Sequence, residues 1–188
     1  MNSKIYTLFI AIALFACDTK EEKANAEVEK VAEPEAKAPK SPKTAAMANI
    51  GSAHIHIEYS SPSVRSRVIW GGLVPYGVVW STGAHAATSI NIPENVNING
   101  MLVEKGKYAI FTIPGEKIWT VIINRNWEQH LADEYSMDDD VIRFEVVPEI
   151  LELNQEALTY EVKSNSDKTG TISIAWEKIK VTFDIEVN

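Results

Sequence analysis

Hydrophobic and polar side chains alternate with a period of two through most of the chain after residue 53. Ile55, Ile57 and Tyr59, for example, alternate with polar side chains at positions 54, 56 and 58. Neighbouring side chains of a β-strand point to opposite faces, so this period is typical of strands with one buried face. Alternation together with the turn sequences predicts strands at residues 88–92, 96–98, 101–103, 108–113, 141–147, 157–163, 171–176 and 180–187. Residues 118–123 are almost wholly apolar, as expected for a strand buried on both faces or central in its sheet.

Short turn sequences separate these predicted strands. Asn99-Gly100 is a strong β-hairpin signal, and Lys105-Gly106 and Pro114-Gly115 mark further turns. Residues 124–140 break the rhythm and are predicted to form one short helix or a packed loop. The chain has no repeat of the kind that builds solenoids and propellers. We therefore expect an all-β fold, a single antiparallel β-sandwich of about nine or ten strands, with a closed β-barrel as the alternative.

The first residues have the pattern of a bacterial lipoprotein signal. Lys4 gives a positive start, and residues 5–16 form an apolar run of 12 residues, too short to span a bilayer as a helix. The run ends in Leu14-Phe15-Ala16-Cys17, which resembles a lipobox. We expect a signal peptide at residues 1–16, cleaved before Cys17, the only cysteine in the chain. A secretory signal followed by a chance cysteine is the alternative.

Cleavage at that point would make Cys17 the acylated first residue of the mature protein. Two or three acyl chains such as palmitate exceed what stable membrane anchoring requires. Residues 17–48 are rich in Ala, Glu, Lys and Pro and lack aromatic side chains, so we expect a disordered tether. Residues 49–188 would then form the β-sandwich domain. The expected location is the cell envelope, at the outer membrane, with the periplasmic or surface face left open.

Net charge and motif content narrow the range of partners and cofactors. The chain has 26 acidic and 18 basic side chains, which gives a net charge of −8 at pH 7. That balance argues against binding to nucleic acid or to an anionic membrane surface. The chain has neither a phosphate-binding loop motif nor a dinucleotide-binding motif, so no cofactor is expected. Contact with the membrane is expected to be made through the lipid on Cys17.

The segment from Arg65 to Thr88 is unusually apolar, and glycines and a proline break it into short pieces. A loop of this kind is expected to fold back over the core as a packed connection. One interpretation is an aromatic pocket lined by Arg65, Arg67, Trp70, Tyr76, Trp80, Thr82 and His85. The other is that the aromatic rings fill the core and the arginines pair with surface acids, since large aromatic side chains dominate core burial.

Three stretches resemble a known family: S-P-S-V-R-S-R-V-I-W-G-G-L-V-P-Y-G-V-V-W-S-T-G-A-H-A-A-T, Y-A-I-F-T-I-P-G-E-K-I-W-T-V-I-I-N and A-W-E-K-I-K-V-T-F-D-I-E-V. They are similar to the domain of unknown function 2911 family of secreted or lipid-anchored bacterial proteins, mostly from Bacteroidetes. The resemblance runs from about Ile50 to Val187 and implies no activity, substrate or catalytic residue.

The chain departs from the family pattern at one turn. In the family an arginine usually follows the second tryptophan, and Asn or Asp with a following Glu often stands after T-G-A. These positions hold Ser81, His85 and Ala86 here. If the family has a polar site at this turn, the resemblance implies that the version in this chain is altered or lost.

A second candidate site consists of histidines. His54, His56 and Glu58 share one face of a predicted strand, and His85 would complete a set of three imidazoles and a carboxylate. Such a set suits zinc or copper. The alternative is a solvated strand face without a metal. The acids of residues 133–140 could likewise hold calcium, but they lack the spacing of a calcium loop, so a solvated loop is favoured.

An enzyme would need an activated nucleophile, and Cys17 is expected to be acylated. Ser81 or Thr82 beside His85 is the only pair of this kind in the apolar segment, and no G-x-S-x-G motif is present. We therefore expect a non-catalytic module of the cell envelope that binds a small ligand, a glycan or an envelope protein. A metal-binding protein that uses the His54, His56 and His85 face, or a hydrolase, is the alternative.

Overall fold

The computed structural model describes residues 39–188, which contain ten β-strands. The strands are β1 Lys43–Ile50, β2 Ala53–Ser60, β3 Thr88–Ile92, β4 Val96–Ile98, β5 Met101–Val103, β6 Gly106–Ile113, β7 Trp119–Asn124, β8 Asp140–Val146, β9 Glu149–Ser164 and β10 Thr169–Val187. One 3₁₀ turn, Met137–Asp139, precedes β8. The expected signal peptide, Cys17 and most of the expected tether lie outside the described residues. Within residues 39–188, no helix has the length and apolar character needed to cross a membrane.

The strands form two sheets. The larger has six strands in the order β1-β2-β3-β6-β7-β8, and the smaller has four in the order β5-β4-β10-β9. Every hydrogen-bonded neighbour pair is antiparallel. Neither sheet closes on itself, so the predicted antiparallel β-sandwich is confirmed and the barrel alternative is excluded. Strands with one apolar face reach this arrangement because each sheet must bury that face against the other.

The core lies between the inner faces of the two sheets. Ile55 and Ile57 of β2 are fully buried, whereas Glu58 on the opposite face of the same strand is exposed. Across the interface, Phe183 of β10 meets Phe144 of β8 edge to face, with ring centroids 5.5 Å apart. The polar positions of β2 therefore point away from the core, as the period of two predicts.

Three strands differ from the sequence-based prediction. β9 begins at Glu149, eight residues before its predicted start at residue 157. Residues 43–48, expected to belong to the tether, form most of β1 and pair with β2 along its whole length. Alanine-rich β1 has a weak intrinsic strand signal, and the neighbouring edge of β2 provides the hydrogen bonds that order it. The last two predicted strands are one strand, β10, which has register shifts around Glu177, a residue with a φ of 54°.

The irregular insert predicted after residue 124 is a packed loop. Residues 125–139, called the cover loop below, connect β7 to β8 and pack over part of the outer face of the six-stranded sheet. A second hydrophobic cluster lies there, formed by Ala87, Ala109, Phe111 and Ile122, with Trp127, Ala132 and Tyr135 packed against it. The outer cluster explains why β6 is apolar on both faces.

Candidate functional site

A cleft of about 910 Å³ lies on the outer face of the six-stranded sheet, between β1 and the cover loop. Its floor consists of side chains from three adjacent strands: Glu58 and Ser60 from β2, Ser89 from β3 and Lys107 from β6. Its walls are residues 43–45 of β1, the turn at 85–87, and residues 127–130 and 134 of the cover loop. A rigid sheet therefore supports the floor, and loops form most of the rim.

The rim is held together by a short stretch of strand-like pairing. The Ala87 amide donates to the Gln129 carbonyl at 3.0 Å, and the Leu131 amide donates to the His85 carbonyl at 2.8 Å. His85 and Leu131 both have positive φ, 67° and 50°. Both segments of the chain therefore turn sharply where they meet. The two hydrogen bonds between them hold the 85–87 turn against the cover loop.

A buried polar network anchors the base of the cover loop. Asn124 is fully buried, and its Nδ2 donates to the Ser136 carbonyl at 2.9 Å and to Asp140 Oδ1 at 2.8 Å. Asp140 Oδ2 accepts from the Tyr135 hydroxyl at 2.9 Å and from Arg143 Nη2 at 2.8 Å. Burial, with the hydrogen bond to Asp140, raises the pKa of Tyr135 above its ordinary value. The network explains how a loop without regular structure keeps a fixed position.

The floor carries an ion pair beneath an aromatic ring. Lys107 Nζ lies 2.9 Å from Glu58 Oε2 and 4.2 Å from the centroid of the Trp127 ring. The hydrogen bond from Lys107, together with its charge, lowers the pKa of Glu58 below its ordinary value. Lys107 therefore joins the sheet floor to the cover loop through an ionic contact and a cation–π contact.

Acidic side chains outnumber basic ones around the cleft. Its lining includes Glu58, Glu128 and Glu134 but only Lys43 and Lys107 among lysines and arginines. Glu128 and Glu134 are exposed, and neither has a basic side-chain nitrogen within 4.0 Å in residues 39–188. Within the described residues, the cleft therefore has carboxylates without a counter-charge.

The structure does not gather the seven residues of the predicted aromatic pocket. Only His85 lines the cleft. The arginines bond to backbone carbonyls rather than to surface acids: Arg65 Nη2 donates to Lys40 at 3.0 Å, and Arg67 Nε donates to Val64 at 3.1 Å. Thr82 is fully buried, and its hydroxyl lies 3.0 Å from that of Thr112. Tyr76 is exposed, and a Cβ at Gly71 would lie 3.1 Å from its ring.

The two tryptophans of the apolar segment belong to a four-ring cluster. Trp70 and Trp80 pack with Trp119 of β7 and Trp176 of β10, at centroid distances of 4.8–6.5 Å. Trp119 and Trp176 are buried, and the other two are half-buried. The segment is pinned nearby, because the Trp80 amide donates to the Thr112 carbonyl at 2.8 Å. These contacts match the core-filling interpretation of the two rings.

The predicted metal set of His54, His56, Glu58 and His85 does not assemble. Within residues 39–188, no group of three or more His, Cys, Asp or Glu side chains could hold a metal ion. His54 Nδ1 instead lies 2.7 Å from Asn49 Oδ1 of β1, and Glu58 pairs with Lys107. His54, His56 and Glu58 do share one strand face, but His54 and Glu58 have partners on other strands that the spacing did not reveal.

Sequence reasoning missed Lys107 and Trp127, which define the centre of the cleft. Lys107 belongs to a strand whose partners were unknown, and Trp127 lies in the irregular insert. The signal that could have revealed this site lies in β6, where four consecutive residues, 109–112, are buried. A strand buried on both faces needs a second covering layer, and the cover loop was the unassigned segment nearest in sequence.

One family model, described as protein of unknown function (DUF2911), matches residues 41–185. Comparisons with curated proteins and with solved structures give no match. The matched range includes every residue that lines the cleft. Because the match covers most of the chain, the protein belongs to the DUF2911 family.

Proposed function

We propose that the protein is a non-catalytic binding module, anchored to the cell envelope through Cys17, whose cleft holds a small polar ligand. The observation that carries the proposal is the cleft of about 910 Å³ over the rigid six-stranded sheet. Small-ligand sites usually have volumes of roughly 300–1,000 Å³. The cleft is thus large enough for a ligand of several hundred daltons.

The lining supports a polar ligand. The Glu58–Lys107 pair and the carboxylates of Glu128 and Glu134, which form no ion pair within residues 39–188, offer charged hydrogen-bonding groups. Trp127 offers apolar contact area. Gln129 is buried, with Nε2 donating to the Asn126 carbonyl and Oε1 accepting from the Glu134 amide. The rim is therefore preorganised, which reduces the entropy lost when a ligand binds.

The hydrogen bonds favour binding over catalysis. Covalent hydrolysis would need a nucleophile held by a base, such as a hydroxyl bonded to histidine. In the described part of the chain, His54 bonds to Asn49 and His130 bonds to Asp133, and no serine or threonine hydroxyl bonds to a histidine. Within residues 39–188, no histidine bonds to a serine of the cleft floor.

The position of β1 supports a site presented by a membrane tether. β1 begins at Lys43, which itself lines the cleft. The 25 residues from 18 to 42 can span at most roughly 90 Å. An acylated Cys17 would therefore keep the cleft within that distance of the membrane.

A ligand screen with matched variants tests the binding proposal. The full-length chain is titrated by calorimetry with neutral oligosaccharides, free amino acids and short peptides. We expect a hit whose affinity falls about tenfold in Glu134→Gln, because a charged hydrogen bond is lost. Glu145→Gln, an exposed acid on β8 that does not line the cleft, is the matched control. Absence of any hit, or equal affinity in both variants, would refute the proposal.

Membrane partition tests the anchor separately. In a bacterial host that processes lipoproteins, the wild-type chain should incorporate labelled palmitate and enter the detergent phase. Cys17→Ser should do neither, because the thioether cannot form. Label incorporation in the Cys17→Ser chain, or none in the wild type, would show that Cys17 is not the anchor.

A further inference from the structure

The outer edge of β1 has backbone groups whose direction follows from the hairpin that joins it to β2. A two-residue turn at Gly51 and Ser52, with a φ of 59° at Gly51, connects the closing pair Ile50 and Ala53. The closing pair of such a hairpin is hydrogen-bonded, and bonded pairs alternate along the ladder. Even-numbered residues of β1 therefore bond to β2, in agreement with the 2.9 Å bond from the Ser61 amide to the Pro42 carbonyl.

The odd-numbered residues direct their amides and carbonyls away from β2. They are Lys43, Ala45, Met47 and Asn49. Among residues 39–188, none of their backbone groups has a hydrogen-bond partner on this side. β1 is also long for an edge strand, with eight regularly paired residues and neither proline nor bulge. β9 of the other sheet lies close to β1 but makes no backbone hydrogen bond to it. An edge whose backbone groups lack partners is a template for another strand.

This edge leads directly into the cleft. Ala45 lies opposite Glu58, and Glu58 lies opposite Ser89, so the three form one row across the outer face. Neighbouring strands are about 4.8 Å apart, which puts a residue added beside Ala45 about 10 Å from Glu58. Ala45 lines the cleft, is exposed and has only a methyl side chain. A long side chain on an added strand can therefore extend over Ala45 into the cleft.

Charge indicates which side chain would fit. Glu128 and Glu134 line the cleft without basic partners within 4.0 Å in the described residues, and Glu58 carries a negative charge beside its one lysine. Deepening the binding function proposed above, on which this step rests, we propose that β1 accepts an extended peptide as a seventh strand. A lysine or arginine side chain of that peptide occupies the cleft.

A peptide fits these observations better than two other occupants. A neutral oligosaccharide would leave the carboxylates without a counter-charge and would not use the β1 edge. A second copy of the chain would bring together two molecules that each carry a net charge of −8. Strand addition combines backbone hydrogen bonds for affinity with a side-chain pocket for specificity.

Binding of two designed peptides tests the proposal. The peptides acetyl-TVTKTVT-amide and acetyl-TVTETVT-amide, which differ only in the central charge, are titrated into the full-length chain. We expect the lysine peptide to bind at least about tenfold more tightly than the glutamate peptide. It should also slow hydrogen exchange at the amides of Ala45, Met47 and Asn49. Methylation of its backbone nitrogens should abolish binding.

Variants of the edge separate this inference from the proposed function. Ala45→Pro removes an outward amide but no bond to β2, so it should fold and weaken binding of the lysine peptide about tenfold. Glu145→Gln, at an exposed position of β8 on the opposite edge of the sheet and outside the cleft, is the control and should bind like the wild type. If Ala45→Pro fails to fold, the backbone-methylated peptide gives the same answer on the unaltered protein.

The outcomes are distinguishable. Strand addition is overturned if the lysine peptide binds equally well to Ala45→Pro and after backbone methylation. It is also overturned if an oligosaccharide occupies the cleft without slowing hydrogen exchange at the β1 amides. Either result leaves the binding function intact. If sedimentation shows a dimer and Ala45→Pro dissociates it, the edge binds a second copy of the chain. That result also overturns the peptide proposal. Absence of binding by every probe removes both proposals.

Discussion

Lys107 is the residue on which the chemistry of the cleft depends. Its ammonium group contacts Glu58 on one side and the Trp127 ring on the other. Lys107→Met keeps a similar shape but removes the charge, so we expect the pKa of Glu58 to rise toward its ordinary value. Carbon NMR titration of the Glu58 carboxyl in wild type and variant measures the shift. An unchanged titration would show that Lys107 does not hold this carboxylate in solution.

The same pair has a small pH-dependent effect on stability. The pKa of Glu58 is lowered in the folded state, so its contribution is present above the unfolded-state pKa and is lost as pH falls through the folded value. The Glu58 side chain is 58% exposed, so solvent screening keeps the contribution at about 1 kcal/mol or less. Acid unfolding of Glu58→Gln should therefore differ little from wild type.

Two glycines show how position decides the cost of one methyl group. A Cβ at Gly170 would lie 2.4 Å from Ile50 Cδ1 and 2.6 Å from the Lys163 carbonyl, whereas nothing lies within 4 Å of one at Gly100. Gly170→Ala should lower the free energy of unfolding by about 1–3 kcal/mol through overpacking. Gly100→Ala, at a φ of 80°, should cost about 1 kcal/mol through backbone strain alone. Urea unfolding compares them, and a larger loss at Gly100 would contradict the packing argument.

For single residues, the sequence predicted the face of the sheet on which a side chain lies. It did not predict which other side chain that residue contacts. The period of two placed His54, His56 and Glu58 on one outer face. The partners of His54 and Glu58 come from other strands: Asn49 from β1 and Lys107 from β6. Local periodicity contains no information on strand order, so it could not distinguish a metal set from a row of side chains with partners elsewhere.

At the scale of elements, the cover loop is the part whose fixed position the cleft requires. Asn124→Ala removes two donated bonds and the acceptor of the Asn126 amide. We expect a loss of about 1–3 kcal/mol in the free energy of unfolding, because buried groups are left unsatisfied. Amides of residues 126–135 should also exchange faster with solvent. Asn126→Ala is the control, since its side chain makes one exposed bond of 3.3 Å and should cost little.

If Asn124→Ala accelerates exchange in β7 and β8 as much as in the cover loop, the network supports the sheet rather than the loop. The difference between the two groups of amides is therefore the decisive measurement, because local opening and global unfolding have separate free energies.

The ends of strands were hardest to predict where pairing with a partner strand outweighs the local sequence pattern. β1 reads K-T-A-A-M-A-N-I, a composition that suits a tether, and becomes a strand because the turn at Gly51 returns the chain along β2. β10 reads as two strands because the bulges around Glu177 interrupt its alternation. In both cases the deciding contact lies on a partner strand.

At the scale of the whole molecule, the two-sheet architecture follows from the sequence, because every strand must bury its apolar face. The cleft does not follow in the same way. The cleft exists because the cover loop packs over only the β6–β7 side of the outer face. How much of the face is covered depends on the length of the loop and on the Asn124 network. A prediction from pattern alone therefore locates the core better than it locates the site.

Two tryptophans that flank β7 separate the core from the cleft. Trp119 starts the strand and belongs to the buried four-ring cluster, while Trp127 follows its end and rests on the outer face beside Lys107. Trp119→Ala should reduce the free energy of unfolding by about 3–5 kcal/mol, as expected for a buried tryptophan. Trp127→Ala should cost clearly less in the same denaturant titration, because its ring is half-buried. It should, however, weaken the ligand binding proposed for the cleft. Equal losses of stability would mean that the outer cluster is part of the folding core, and that the cover loop cannot be altered without unfolding the sandwich.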